Sequence, residues 1–183
     1  MIFYTADLHL GHANIIWICK RPFASIEEMN RTLVKNWNNV VTDNDTVYIL
    51  GDFAYRSAVS MKPVLKNLNG VKHLILGNHD FAWIKNIKLE EYFASVSPMA
   101  EINDGDTRIT LCHYPMLSWN RMARGAVLIH GHIHNNGNEN RAFTILRNMN
   151  AYNAGVDVNG FTPVTLEQLK ANKEKFYVDA GNA

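Results

Sequence analysis

Five short clusters of carboxylate, amide and imidazole side chains are spaced along the chain, each just after an apolar run. They are Asp7-Leu8-His9, Gly51-Asp52, Gly77-Asn78-His79-Asp80, Cys112-His113 and Gly131-His132-Ile133-His134. Alone, each is a weak signal: Gly-Asp is an ordinary turn, and Gly-Asn-His-Asp reads equally as a turn with a helix N-cap. Together, each at the end of a buried strand, they point to one site. Gathering that many imidazoles and carboxylates in a protein interior without a cation is unfavourable. In an extended segment residues two apart face the same side, so Asp7 with His9, and His132 with His134, are expected to aim at one place. The donors are carboxylate, imidazole and one amide oxygen, with no thiolate. That set suits manganese, iron, zinc, nickel or cobalt rather than a Cys-rich structural zinc site. The seven candidate ligands Asp7, His9, Asp52, Asn78, His113, His132 and His134 are too many for one tetrahedral ion. Two ions sharing a bridging carboxylate would use them all. Gly51, Gly77 and Gly131 precede ligands, and glycine's access to positive φ and close backbone approach predicts sharp turns there.

The elements that must position these groups alternate from the start. Ile2–Ala6, Thr46–Leu50 and Val71–Leu76 read as buried strands. Between them, Ser25-Ile26-Glu27-Glu28 is a capping box that opens a helix with Ile26, Met29, Leu33, Trp37 and Val40 on one face. Met61, Val64, Leu65 and Leu68 predict a second helix, closed by Asn69-Gly70. The polar clusters therefore fall at the C-terminal ends of strands in a β-α-β-α-β pattern, where open α/β sheets bind ligands. In the second half, Met99–Asn103 and Thr107–Tyr114 flank a turn at Asp104-Gly105-Asp106, and Ala126–His130 reads as another strand. Ala142–Ala154 is expected to hold one or two more. Thr165-Leu166-Glu167-Gln168 is a second capping box, opening a helix through Lys175.

A chain of 183 residues, 47% hydrophobic and 19% charged, suits one layered α/β domain over residues 1–183 and excludes disorder and collagen. The net charge of +1 argues against gripping long nucleic acid through its phosphates. Cys19 and Cys112 lack disulfide or zinc-knuckle spacing and read as free buried thiols. No apolar run reaches the roughly 18 residues of a membrane span, and Met1–Asp7 does not look like a signal peptide. The expectation is a soluble, cytoplasmic protein with no membrane partner, whose oligomeric state the sequence leaves open. His130 and His73 read as structural histidines. His12, Arg56, Trp119, Arg121 and Arg124 are the candidate substrate contacts, with Arg21 a weaker one. Arg would pair with phosphate and Trp would stack on a base.

Taken in order, Asp-x-His, Gly-Asp, Gly-Asn-His-Asp, His and Gly-His-x-His resemble the calcineurin-like metallophosphoesterases, from Asp7 to about Pro163. Asp7-Leu8-His9-Leu10-Gly11-His12 is similar to the small prokaryotic and phage subgroup, and Asn153-Ala154-Gly155-Val156-Asp157 looks like the last core strand of those members. The resemblance implies a four-layer α-β-β-α sandwich of two mixed β-sheets flanked by helices. It implies one metal on Asp7, His9, Asp52 and His134, and another on Asp52, Asn78, His113 and His132, with Asp52 bridging. Manganese is the expected ion. It also implies that His79 assists the leaving group without binding metal and that Asp80 orients His79. The family's Gly-Asp-x-x-Asp pattern is broken, because Tyr55 stands where a second Asp is usual.

The expected reaction is hydrolysis of a small, nucleotide-like phosphodiester or phosphomonoester. Two cations about 3.5–4 Å apart would lower the pKa of a bridging water, and the resulting hydroxide would attack phosphorus in line. Diesters are favoured, because a chain this short leaves little room for a cap over the cleft. The alternatives are a nuclease and a non-catalytic metal-binding scaffold of the same fold. Asp-Leu-His-Leu also occurs in pyrophosphatases of lipid A synthesis, but the helical cap those enzymes carry has no counterpart here.

Overall fold

The structure is a computed structural model and describes residues 1–55, 61–135 and 145–181. Strands β1 (Ile2–Thr5), β2 (Thr46–Leu50), β3 (Val71–Ile75) and β4 (Ser95–Ser97) pair in that order, every pair parallel. A parallel sheet needs cover on both faces, and the period-two alternation supplies it. Phe3, Val47, Ile49 and Leu74 face one way, onto Met29, Leu33 and Trp37. Tyr4, Leu50 and Ile75 face the other. Helices α1 (Ile15–Ile18) and α2 (Ile26–Val40) join β1 to β2, and α3 (Lys62–Asn67) precedes β3. α4 (Asp80–Trp83) and two short 3-10 turns lead to β4.

The second sheet holds β5 (Met99–Asp104), β6 (Thr107–Cys112), β7 (Val127–His130) and β8 (Ala151–Asn153), also in chain order. β5 and β6 form the expected hairpin, and the other pairs are parallel. Ile109, Leu111, Val127 and Ile129 pack on Tyr4, Leu50 and Ile75, so the sheets lie face to face. The last helix, α5 (Leu166–Gly181), adds Leu166 and Leu169 to this central layer. Two sheets with flanking helices is thus the observed architecture. Among the described residues, the first sheet is mixed only through an isolated antiparallel bridge between Tyr4 and Val164. Among the described residues, the outer face of the second sheet is covered by Trp119, Ile133 and Leu146 rather than by a long helix.

Local details depart from expectation where tertiary contacts intervene. The Thr165 capping box is reciprocal: Gln168 N donates to Thr165 Oγ1 at 3.4 Å, and Thr165 N donates to Gln168 Oε1 at 2.9 Å. At α2, Glu28 N donates to Ser25 Oγ at 3.2 Å, but the Glu28 carboxylate reaches past Ser25 to Ala24 N at 2.8 Å. Ile26 and Val40 lie at the rim of the helix's apolar face, while Met29, Leu33 and Trp37 are buried. α3 ends at Asn67, with Leu68 already extended. Gly70, at φ 85°, does not close that helix; it turns the chain into β3. The expected last core strand is shifted too. β8 ends at Asn153, and Val156–Val158 form a 3-10 turn. β4 has only three residues, too few for a periodic signal.

Candidate metal centre

Where β1 and β2 run out, their loops stay side by side: Asp7 N donates to Gly51 O at 3.0 Å and His9 N to Asp52 O at 2.9 Å. The expected strand-like alternation does not hold here. Asp7 (φ 57°), His9 (φ 52°), Asp52 (φ 53°), His132 (φ 73°) and His134 (φ 48°) all lie in the left-handed region. The side chains converge because the backbone reverses at these residues. Asp and His tolerate that region better than most, yet each such position costs about 1–3 kcal/mol and persists only where the surroundings hold it. Of the three glycines expected to supply positive φ, Gly51 does so at 82°, whereas Gly77 and Gly131 do not. Gly77 is needed for closeness: a Cβ there would sit 2.4 Å from Asp52 Oδ1.

The floor of the site is buried, with Asp7, His9, Asp52 and His113 almost inaccessible. Asp52 Oδ2 lies 3.5 Å from His9 Nε2 and 3.6 Å from His113 Nε2. One atom of Asp52 therefore faces two imidazoles that approach from different sheets. Donor atoms of Asp7, His9 and His134 lie within 4.8 Å of one another, as do those of Asp7, Asp52 and His113. Asn78 Oδ1 is 3.1 Å from His113 Nε2. The ring of His132 stands edge-on to that of His113, with centroids 5.1 Å apart. Asn78 and His132 are exposed, so the outer side of the cluster opens to solvent.

The histidines are set up as Nε2 ligands. His113 Nδ1 faces Leu50 O at 2.8 Å, His9 Nδ1 faces His12 Nδ1 at 3.3 Å, and His134 Nδ1 faces Asp157 Oδ2 at 2.8 Å. His9 Nε2 is buried and has no hydrogen-bond partner. An orphaned buried imidazole nitrogen aimed at a carboxylate is what a divalent cation would satisfy. Burial raises the Asp7 carboxyl to about 6 despite the neighbouring His134 and His113. Burial also drives His9 far down, so its ring is neutral and carries a free lone pair. At His134 burial is outweighed by Asp157, Cys19 and Asp7, which hold the ring up at about 10. The residues present thus fit divalent cations, which would relieve the buried Asp7 charge and displace the His134 proton.

Asp80 is not placed to orient His79. Its Oδ2 accepts from Asp52 N at 2.9 Å and Gly77 N at 2.8 Å, and its Oδ1 accepts from Phe53 N at 3.0 Å and Trp83 Nε1 at 2.7 Å. This fully buried carboxylate staples the two ligand loops together. Asp80→Asn would turn an amide NH2 toward two of those four donors. At about 1–3 kcal/mol per unsatisfied donor, the expected loss is roughly 2–6 kcal/mol, read from urea unfolding. An unchanged midpoint would contradict the role. His79 is held instead through its own backbone, His79 N donating to Asp52 Oδ1 at 2.8 Å. Its ring lies 5.3 Å from that of His9 and 5.2 Å from that of Tyr55. Tyr55, at the place of the family's second Asp, stacks on His12 at 3.7 Å.

The remaining candidates separate. His12 is at the site through these contacts. Trp119 is buried and donates Nε1–H to Ala126 O at 2.9 Å, so its indole serves packing and is not presented to a ligand. Arg121 and Arg124 are exposed around the 3-10 turn Met122–Arg124. Arg56 lies outside the described residues. Arg21 is buried and bonded to Asp157, so it does not face substrate. His130 is a core histidine, with Nδ1 2.9 Å from Gly131 O and burial holding its pKa near 4. Asp157 and Tyr114 were not anticipated at the site. The Tyr114 ring, 45% exposed, lies 4.7 Å from that of His132. Its adjacency to His113 was the available signal. Asp157 ends the stretch Asn153–Asp157, which read only as a strand, and its partners Arg21 and His134 lie 136 and 23 residues away.

Residues 1–158 match the model of the calcineurin-like phosphoesterase family. The chain is 39% identical over 176 residues to the uncharacterized protein MJ1445 of Methanocaldococcus jannaschii, covering 95% of this chain and 92% of that one. It is 33% identical over 158 residues to the gene 66 protein of Mycobacterium phage L5, covering 72% and 76%. The crystal structure of the Aquifex aeolicus protein of unknown function AQ665 is similar at a TM-score of 0.72 and 27% identity, covering 93% of this chain and 98% of that one.

Proposed function

Since the chain belongs to the calcineurin-like phosphoesterase family, we propose that it is a two-metal phosphoric ester hydrolase acting on small, nucleotide-like phosphodiesters. One observation supports this above the rest: Asp52 Oδ2 stands within 3.6 Å of two imidazole nitrogens, one of them buried and unpaired. Asp7, His9, Asp52 and His134 would hold one cation, and Asp52, Asn78, His113 and His132 the other. Bound manganese, or a related ion, would supply water activation near neutral pH and neutralise charge on the phosphoryl oxygens. The chain's own residues do the rest. Asp52 ties the two ligand sets together and, through its Oδ1, anchors the backbone of His79. His79, half-buried beside the ligands, is the group placed to give a proton to the leaving oxygen. Exposed Asn78, His132 and Tyr114 leave the approach open, which suits a diester with groups on both sides of phosphorus.

The full set of ligand-type residues speaks against a non-catalytic scaffold. Among the described residues no helix is long and apolar enough to cross a membrane. Free Cys19 and Cys112 fit a reducing compartment such as the cytoplasm. The test is hydrolysis of bis-p-nitrophenyl phosphate and p-nitrophenyl phosphate with added Mn2+ and with chelator. Metal-dependent turnover is expected, faster on the diester. No metal-dependent hydrolysis of either would favour the scaffold.

A further inference from the structure

Arg21 is 4% exposed, yet every N–H of its guanidinium is engaged. Nε donates to Asp157 Oδ1 at 2.7 Å, and one terminal nitrogen donates to Asp157 Oδ2 at 3.0 Å and to Asp7 O at 2.7 Å. The other donates to Leu8 O at 2.9 Å and to Met29 Sδ at 3.4 Å. The Asp157 side chain is 1% exposed. Its Oδ2, besides meeting Arg21, accepts from Nδ1 of His134 at 2.8 Å. A buried ion pair is weak evidence for stability, because desolvation offsets the attraction. What distinguishes this one is where its ends are. One end holds the carbonyls of Asp7 and Leu8, in the loop after β1 of the first sheet. The other holds His134, beyond β7 of the second. Both ends are segments that carry candidate ligands of the same cation.

We propose that Arg21 and Asp157 are positioning residues: a brace across the two sheets that sets His134 against Asp7 and His9, on which the cation site formed by those three residues depends. This rests on the metal-binding reading above. With His134 Nδ1 bonded to Asp157, Nε2 is the nitrogen left to face the ion, and Arg21 fixes Asp157 by a two-pronged contact. Lysine could not replace it, since a single ammonium has three donors and no planar fork to span a carboxylate and two carbonyls. Among the described residues no hydrogen bond of Arg21 or Asp157 reaches His113 or Asn78, so that side of the centre should be affected least.

The experiment titrates chelator-treated wild type, Arg21→Lys and Asp157→Asn with Mn2+ alone, reading free Mn2+ by electron paramagnetic resonance. Circular dichroism and thermal melts of the same metal-free samples report folding. In the wild type two Mn2+ are expected to bind. In each variant one site should weaken by about 10–100-fold while the other keeps its affinity. A general structural role would not single out one site. If Arg21→Lys does not fold, the isosteric Asp157→Asn decides alone. Wild-type affinity at both sites in a folded variant overturns the brace, and so does equal weakening of both. A wild type that binds no Mn2+ overturns the metal-dependent function itself, a separate outcome.

Discussion

Asp52→Asn is expected to give a folded protein that takes up neither cation and loses metal-dependent hydrolysis. Asp52 Oδ1 already accepts from His79 N at 2.8 Å, and Oδ2 faces His9 Nε2 and His113 Nε2. An amide would keep its oxygen on the His79 side and place its NH2 between the two imidazoles. The amide protons would then bond to the lone pairs that a cation needs, satisfying the orphaned His9 Nε2 from within. The metal-free variant should therefore melt no lower than the metal-free wild type, while Mn2+ no longer raises its melting temperature. Loss of a single transition-state donor typically costs about 10²–10³ in rate, so losing the shared ligand should cost on the order of 10³-fold or more. Metal content and Mn2+-stimulated turnover measure this. Two ions at full occupancy in the variant would contradict the shared-ligand role.

β1, β2 and β3 were legible as apolar runs, each ended by a polar cluster. Thr46–Leu50 reads as an apolar run with a Gly-Asp stop, and the strand has those bounds. The ligand-type clusters were legible for the same reason: polar residues at the ends of apolar runs must go somewhere, and all lie at one rim. How they converge was not. Period-two reasoning groups Asp7 with His9, whose donor atoms do lie together, but for the wrong backbone, since the left-handed turns depend on contacts between loops. Asp80 shows the same limit. The family resemblance implied a partner one residue away, but the donors that claim its carboxylate include Asp52 N and Phe53 N, 28 and 27 residues distant. Arg21 and Asp157 lie 136 residues apart, and no local pattern announces such a pair. Trp119 was a candidate substrate contact because its loop lies between two ligand-bearing strands, whereas Leu128, Leu146 and Ala151 bury it.

His79→Asn should separate metal binding from proton transfer. The bond that ties residue 79 to Asp52 comes from the backbone N–H and survives the substitution. Among the described residues, the His79 ring belongs to none of the three groups of donor atoms that could hold an ion. Two Mn2+ should therefore bind as in the wild type. The effect on rate depends on the leaving group. p-Nitrophenolate departs as a stable anion and needs no proton, so turnover of bis-p-nitrophenyl phosphate should fall less than about 10-fold. An alkyl or nucleoside alkoxide is a strong base and cannot leave without one, and loss of a positioned acid costs about 10²–10⁴-fold there. The ratio of the two losses is the diagnostic quantity, because a damaged metal site would depress both esters together. Equal losses would assign the effect to the metals, and undiminished turnover of the alkyl ester would remove His79 from the mechanism. Tyr55 and His12 flank this ring where the family more often has a carboxylate, and among the described residues no hydrogen bond joins it to an acidic side chain. His134, by contrast, is pinned by Asp157 and is suited to holding an ion rather than to moving protons.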